Sequence, residues 1–152
     1  MAITNAAFSV TTPNGITTMP TAYSIVAGDV SAGISIPASF FTTAASYGQS
    51  GFLPEKLFLF FNTTTAGTNF NAIIKATKAT TDVPNSAPPF PLANQGDLTL
   101  NINAIGTYPV FGLTSGRFMQ PDGSILINFS GTLGVTTLYG FVQPYAPLGP
   151  RG

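Results

Sequence analysis

From Asp97 to Ala104 the chain alternates apolar and polar side chains, with Leu98, Leu100 and Ile102 set between Thr99, Asn101 and Asn103. A period of two is what a strand with one buried and one wet face requires. Ser124 to Phe129 repeats the pattern, with Ile125, Ile127 and Phe129 on the inward side. Leu57 to Phe61 is apolar at every position, which predicts a central strand covered on both faces. Phe70 to Lys78 and Thr136 to Val142 complete a set of at least five expected strands, and shorter candidates lie at Tyr23 to Val26 and Ile34 to Ile36. No window of about eleven residues keeps an apolar stripe at helical spacing, so helix is expected to be minor.

Turn residues punctuate these segments. Pro121-Asp122-Gly123 stands just before a strand, and Asp-Gly supplies the positive φ angles of a tight hairpin; Asn14-Gly15 is a second such signal. Between Lys78 and Asp97 lie Pro84, Pro88, Pro89 and Pro91, which cannot enter a central strand because proline lacks the ladder donor. A long surface loop is expected at 79–96. In Ala2 to Pro20 the apolar residues Ile3, Phe8, Val10 and Ile16 are spaced too irregularly for a core strand, and after Val142 the prolines 144, 147 and 150 favour an extended, polyproline-like tail. The expected plan is an extended arm at 1–20, a β domain at 21–142 and an extended tail at 143–152. The fold class is all-β, a single small β-sandwich or β-barrel.

Composition narrows the function. A chain of 152 residues suits one domain with a core that needs no disulfide or metal. Only 7% of its residues are charged, against about 25% in an ordinary soluble domain, so Thr, Ser, Asn, Gly and exposed apolar atoms must make up most of the surface. The five basic side chains are scattered and balance five acids, which gives a nucleic acid no basic stripe to bind. The longest strongly apolar run, Leu57 to Phe61, is far short of the roughly 20 residues of a spanning helix, so no membrane partner is expected. Met1 to Val10 carries no basic start and no apolar stretch of a secretory signal, although a chain that had already lost one would read the same.

Candidate chemistry is sparse. With no His and no Cys, the usual general base, thiol nucleophile and commonest transition-metal ligands are missing. A paired-carboxylate site would need two of Asp29, Glu55, Asp82, Asp97 and Asp122 to converge, but Asp122 is explained by its turn, and Asp29 and Asp97 stand beside Gly where a loop or strand start wants a short polar residue. Lys75 and Lys78 have no serine at the spacing of a Ser-x-x-Lys site and read as solvent-facing charges that guard a sheet edge. The sequons at Asn62 and Asn128 are chance matches in a chain this rich in Asn, Thr and Ser. The 13 Phe are expected mostly in the core. Arg117 pairs with Asp97 or Asp122, or anchors an interface. No catalytic residue, metal ligand or cofactor site is expected, and the chain reads as a non-enzyme.

From Glu55 to Val142 the order of elements resembles the bacteriophage head-decoration, or minor capsid, proteins. The resemblance rests on Leu57-Phe58-Leu59-Phe60-Phe61-Asn62 and a strand around Asn71 to Lys78. It continues through Gly96-Asp97-Leu98-Thr99-Leu100-Asn101-Ile102, Gly106 to Gly112, Arg117-Phe118-Met119-Gln120-Pro121-Asp122-Gly123-Ser124, Ile125 to Ser130 and Thr136 to Phe141. It implies a small β-sandwich or barrel, often a homotrimer, assembled in the host cytoplasm and attached to the capsid exterior of the virion, where it stabilises the particle by bridging major capsid protein subunits. Such proteins have no catalytic residues to carry over. A second reading is a carbohydrate-binding or adhesin-like β domain of a phage tail or cell surface, which the five Tyr support and the absence of Trp opposes. On the first reading the arm lies across a neighbouring subunit and buries Ile3, Phe8 and Val10; on a plainer one Phe8 and Val10 begin the domain's own sheet.

Overall fold

The computed structural model describes residues 3–6, 22–39, 57–77, 96–113 and 115–142. Its strands are β1 (Thr4–Asn5), β2 (Tyr23–Ser24), β3 (Ile34–Ile36), β4 (Leu57–Thr65), β5 (Thr68–Ile74), β6 (Leu98–Asn101), β7 (Gly106–Val110), β8 (Ile125–Thr132) and β9 (Val135–Val142), with short helices α1 (Ala27–Ala32) and α2 (Ser115–Phe118). The protein is mostly β, as the alternation predicts. A five-stranded sheet runs β1-β3-β8-β5-β6 and a four-stranded sheet runs β2-β9-β4-β7. Both sheets are open, so of the two expected architectures the closed barrel is not the one formed. All described pairings are antiparallel except that of β1 with β3.

The two sheets are joined by one folded ribbon. Only Ala66 and Gly67 separate β4 from β5, and only Leu133 and Gly134 separate β8 from β9. Because β4 pairs with β9 and β5 with β8, the ribbon leaves the four-stranded sheet at this corner and enters the five-stranded one. The crossing is tight: a Cβ on Gly134 would lie 2.0 Å from the Thr65 carbonyl oxygen, and one on Gly131, at φ +84°, would lie 2.0 Å from that of Asn69. Register shifts on both sides of the corner absorb the bend.

Inward side chains of both sheets share one core, including Leu57, Leu59, Phe61 and Leu138 from one and Ile34, Phe70, Ile74, Ile125 and Ile127 from the other. Phe70 and Phe129 stack with centroids 5.6 Å apart. Burying each such side chain contributes about 1.5–3 kcal/mol. One polar pair sits inside this core, where the hydroxyls of Thr63 and Thr136 bond to each other at 3.0 Å across β4 and β9.

Several expectations need correction. β4 is central, but it is buried on one face only: Leu57, Leu59, Phe61 and Thr63 are covered, while Phe58, Phe60 and Asn62 on the other face are half-buried. In β6, Leu98 and Leu100 are half-buried rather than enclosed, because this strand lies at a sheet edge; the strand ends at Asn101, and the fully covered Ile102 makes one further backbone bond, to the Phe70 carbonyl at 2.9 Å. The Asp122 turn forms as expected: Asp122 accepts from the Ser124 N–H at 3.0 Å and Gly123 donates to the Gln120 carbonyl at 2.8 Å, though Gly123 alone takes positive φ. Asp29 is not a loop residue. It lies in the first turn of α1, only 2% exposed, and accepts from the Val26 N–H at 2.9 Å and the Tyr23 hydroxyl at 3.0 Å.

Thr4 and Asn5 pair with Ile34 and Ser35, and Ala6 enters the core, so these first described residues belong to the domain's own sheet. The rest of the expected arm, the Asn14-Gly15 turn, the proline-rich stretch of the 79–96 loop and the tail lie outside the described residues.

Candidate functional site

The site begins with the phase of β4. Leu57, Leu59 and Phe61 face the core, and period two then turns Phe58 and Phe60 to the outer face of the four-stranded sheet. Register carries the row sideways, because Phe60 lies opposite Tyr139 of β9 and Pro109 of β7. Phe58 stacks against Phe111, just past the end of β7, with centroids 6.3 Å apart, and Phe111 is itself 67% exposed. The next row is polar: Asn62 lies opposite Thr107 and Thr137, and the Thr107 hydroxyl donates to its amide oxygen at 3.2 Å. The face therefore carries aromatic rings and a proline toward one end, amide and hydroxyl groups toward the other, and no charged side chain among the described residues.

A second cluster ties together the residues on either side of 78–95. Lys75, just after β5, pairs with Asp97, just before β6. The other Asp97 oxygen accepts from the Ala76 N–H at 2.8 Å, and Arg117 donates to the Gly96 carbonyl at 2.9 Å. Thr77 donates to the Arg117 carbonyl at 2.6 Å. The Lys75 hydrogen bond first, then the Ala76 N–H and the nearby Lys75 and Arg117 charges, hold the Asp97 carboxyl below the usual range against the opposing cost of desolvation. This is a clamp between the end of β5 and the start of β6, and Arg117 also lies 4.6 Å from the Phe118 ring centroid. Of the expected partners of Arg117, Asp97 is met at its own backbone carbonyl, 3.4 Å away, next to the bond to Gly96.

The described carboxylates do not converge. Asp29 is occupied by Tyr23 and Val26, Asp97 by Lys75 and Ala76, and Asp122 by Ser124, whose hydroxyl and N–H hold the Asp122 carboxyl below its ordinary range. Among the described residues no three His, Cys, Asp or Glu side chains gather as a metal site, and no helix is long and apolar enough to cross a membrane.

Of the residues expected to grip a partner, Ile3 flanks β1 and is 49% exposed, while Phe8 and Val10 lie outside the described residues. The aromatic face itself was hidden in the sequence, because a run apolar at every position conceals which alternate set points outward. Nor does the continuation decide the phase, since Asn62 and Thr64, in step with Phe58 and Phe60, and Thr63 and Thr65, in step with Phe61, are all polar. Comparisons with protein-family models, with curated proteins and with solved structures found no match to this chain.

Proposed function

We propose that this chain is a non-enzymatic structural protein of a phage virion that binds the outer surface of the capsid and stabilises it by bridging neighbouring major capsid subunits, most simply as a homotrimer. The observation that carries the reading is the uncharged outer face of β9-β4-β7, with Phe111 open to solvent, on a chain whose described carboxylates are all engaged in local structure. A surface of that kind gains free energy by meeting another protein surface, and it offers nothing to a phosphate or a metal. Ile3, Phe8 and Val10 remain the proposed grip of the N-terminal region. Removing 2–20 would also remove β1 and Ala6 from the sheet and core, so Phe8→Ala with Val10→Ala is the sharper test of that grip.

The experiment is co-sedimentation of the full chain with empty expanded heads, followed by imaging of the particles. Saturable binding at sites between capsid subunits is the expected result. Absence of binding to every head type tested would overturn the reading. The carbohydrate-binding alternative draws on the same face, where Phe58, Phe60 and Tyr139 stand beside the Asn62 amide. A glycan array decides between them, because a decoration protein leaves it blank.

A further inference from the structure

We infer that β6 is the edge at which two copies of this chain pair, antiparallel and about a two-fold axis, so that their five-stranded sheets join into one. The inference goes beyond the proposed function and stands with or without a capsid. It rests on which backbone groups the fold leaves over, and on how they match their own image.

β6 closes one side of the five-stranded sheet, with β5 as its neighbour. The Ile102 N–H donates to the Phe70 carbonyl at 2.9 Å, and in an antiparallel pair every second residue bonds to the same neighbour. Leu98 and Leu100 therefore bond to β5, while Thr99 and Asn101 turn their N–H and C=O groups away from it. Among the described residues nothing takes those groups. Strands that must stay at an edge are commonly blunted by proline, by lysine or by a bulge. β7, at the edge of the other sheet, carries Pro109, but β6 has none of these devices.

A second copy is the occupant because the strand is complementary to itself. When Leu100 lies opposite Leu100 of the second copy, Thr99 lies opposite Asn101 of that copy and Asn101 opposite its Thr99, so every free N–H meets a free C=O. A slip of one residue sets Thr99 against a residue whose groups are spent on β5, and it sends the side chains to the wrong face. A slip of two residues in one direction brings in the Asp97 carbonyl, which already accepts from Arg117 at 3.4 Å, and in the other it runs past the end of the strand at Asn101. The faces match as well. Leu98 and Leu100 pack on the core yet stay half-buried, and Leu100 of each copy covers that of the other across a pair whose Cα atoms stand about 4.5 Å apart. No charge lies between Leu98 and Ile102, and Asp97 is paired with Lys75. A seam this short is a small interface, so the copies are expected to pair and separate in the micromolar range or above.

The test uses the full chain, in sedimentation velocity over a concentration series. Thr99→Lys with Asn101→Lys puts like charges directly opposite each other across the seam, at exposed positions, and Thr99→Glu with Asn101→Glu does so with the other sign. Each is expected to weaken pairing by about tenfold or more. An equal mixture of the two is expected to restore a one-to-one complex, since each Lys then faces a Glu. Register is read by cross-linking. The chain has no cysteine, so Leu100→Cys introduces one thiol, which is expected under mild oxidation to link two copies faster than Thr99→Cys, whose image lies two residues away along the partner strand. Circular dichroism checks that the variants fold, and if Leu100→Cys does not, the charged variants decide alone. A parent chain that forms no species larger than the charged variants do overturns the inference. So does a mixture that restores nothing, and so does Thr99→Cys linking as fast as Leu100→Cys, which places the contact elsewhere.

Discussion

Thr63 and Thr136 occupy a position where two valines would have fitted by shape. Their hydroxyls satisfy each other inside the core at 3.0 Å. Removing one partner leaves the other buried and unpaired, at a cost of about 1–3 kcal/mol, whereas removing both is close to neutral. Thr63→Val and Thr136→Val are therefore each expected to lower stability to urea, and the double variant to recover most of the loss. Two losses that simply add in the unfolding midpoints would contradict this pairing. Charge acts at the same scale. The Asp97 carboxyl is held below its ordinary range in the folded chain, first by its hydrogen bond with Lys75, so its contribution is present above the unfolded value of about 4 and is lost as pH falls through the lower folded value. The melting-temperature gap between the parent and Asp97→Asn is expected to narrow from about pH 7 to about pH 3. Tyr23 has the opposite sign: burial, then the Asp29 carboxylate, raises its hydroxyl above the usual range, so that contribution fades only as pH climbs past about 10.

At the scale of elements, the ribbon β4-β5 against β8-β9 is the feature on which both sheets depend. Its two strands cross so closely at the corner that a methyl group on Gly134 would overlap the Thr65 carbonyl, which is backbone and cannot rotate away. Gly134→Ala is expected to destabilise by about 1–3 kcal/mol, the range for forcing extra atoms into a packed site. Gly28→Ala is the control, because nothing lies within 4 Å of a Cβ there and helix propensity favours Ala over Gly by about 1 kcal/mol. Equal unfolding midpoints for the two variants would show that the corner relaxes freely. The clamp between β5 and β6 is a second element-scale device. By tying Lys75 and Ala76 to Asp97, and Arg117 to Gly96, it fixes the spacing between the end of β5 and the start of β6.

For the whole molecule, ten formal charges that cancel in a chain of 152 residues leave little long-range repulsion between copies and little for added ions to screen. Association through the aromatic face would rest on apolar burial, which salt does not weaken. Self-association of the full chain is expected to be as strong in high sodium chloride as in low. A marked loss on raising the salt, followed by sedimentation velocity, would assign the contact to charged groups such as the Lys75, Asp97 and Arg117 cluster instead.

What the sequence determined by itself was the set of segments with clear period-two alternation and the turns between them. Ser124 to Phe129 and Thr136 to Val142 emerge as strands because alternation and turn chemistry are local properties. Two short pieces were legible as well, since β2 and β3 fall on the candidates at Tyr23 to Val26 and Ile34 to Ile36, whereas Thr4–Asn5 becomes a strand only because β3 lies beside it. The helix α1 went unread too, since it is six residues long and its N-cap is Val26 rather than a Ser, Thr, Asp or Asn, its start being closed instead by Asp29 accepting from the Val26 N–H. Tertiary structure also decided the candidate site. Five consecutive apolar residues are compatible with either phase, and only the pairing of β4 between β9 and β7, with the core beneath Leu57, Leu59 and Phe61, turns Phe58 and Phe60 outward. Composition could count the aromatic residues, but the choice of which ones meet solvent is made by packing, which is non-local.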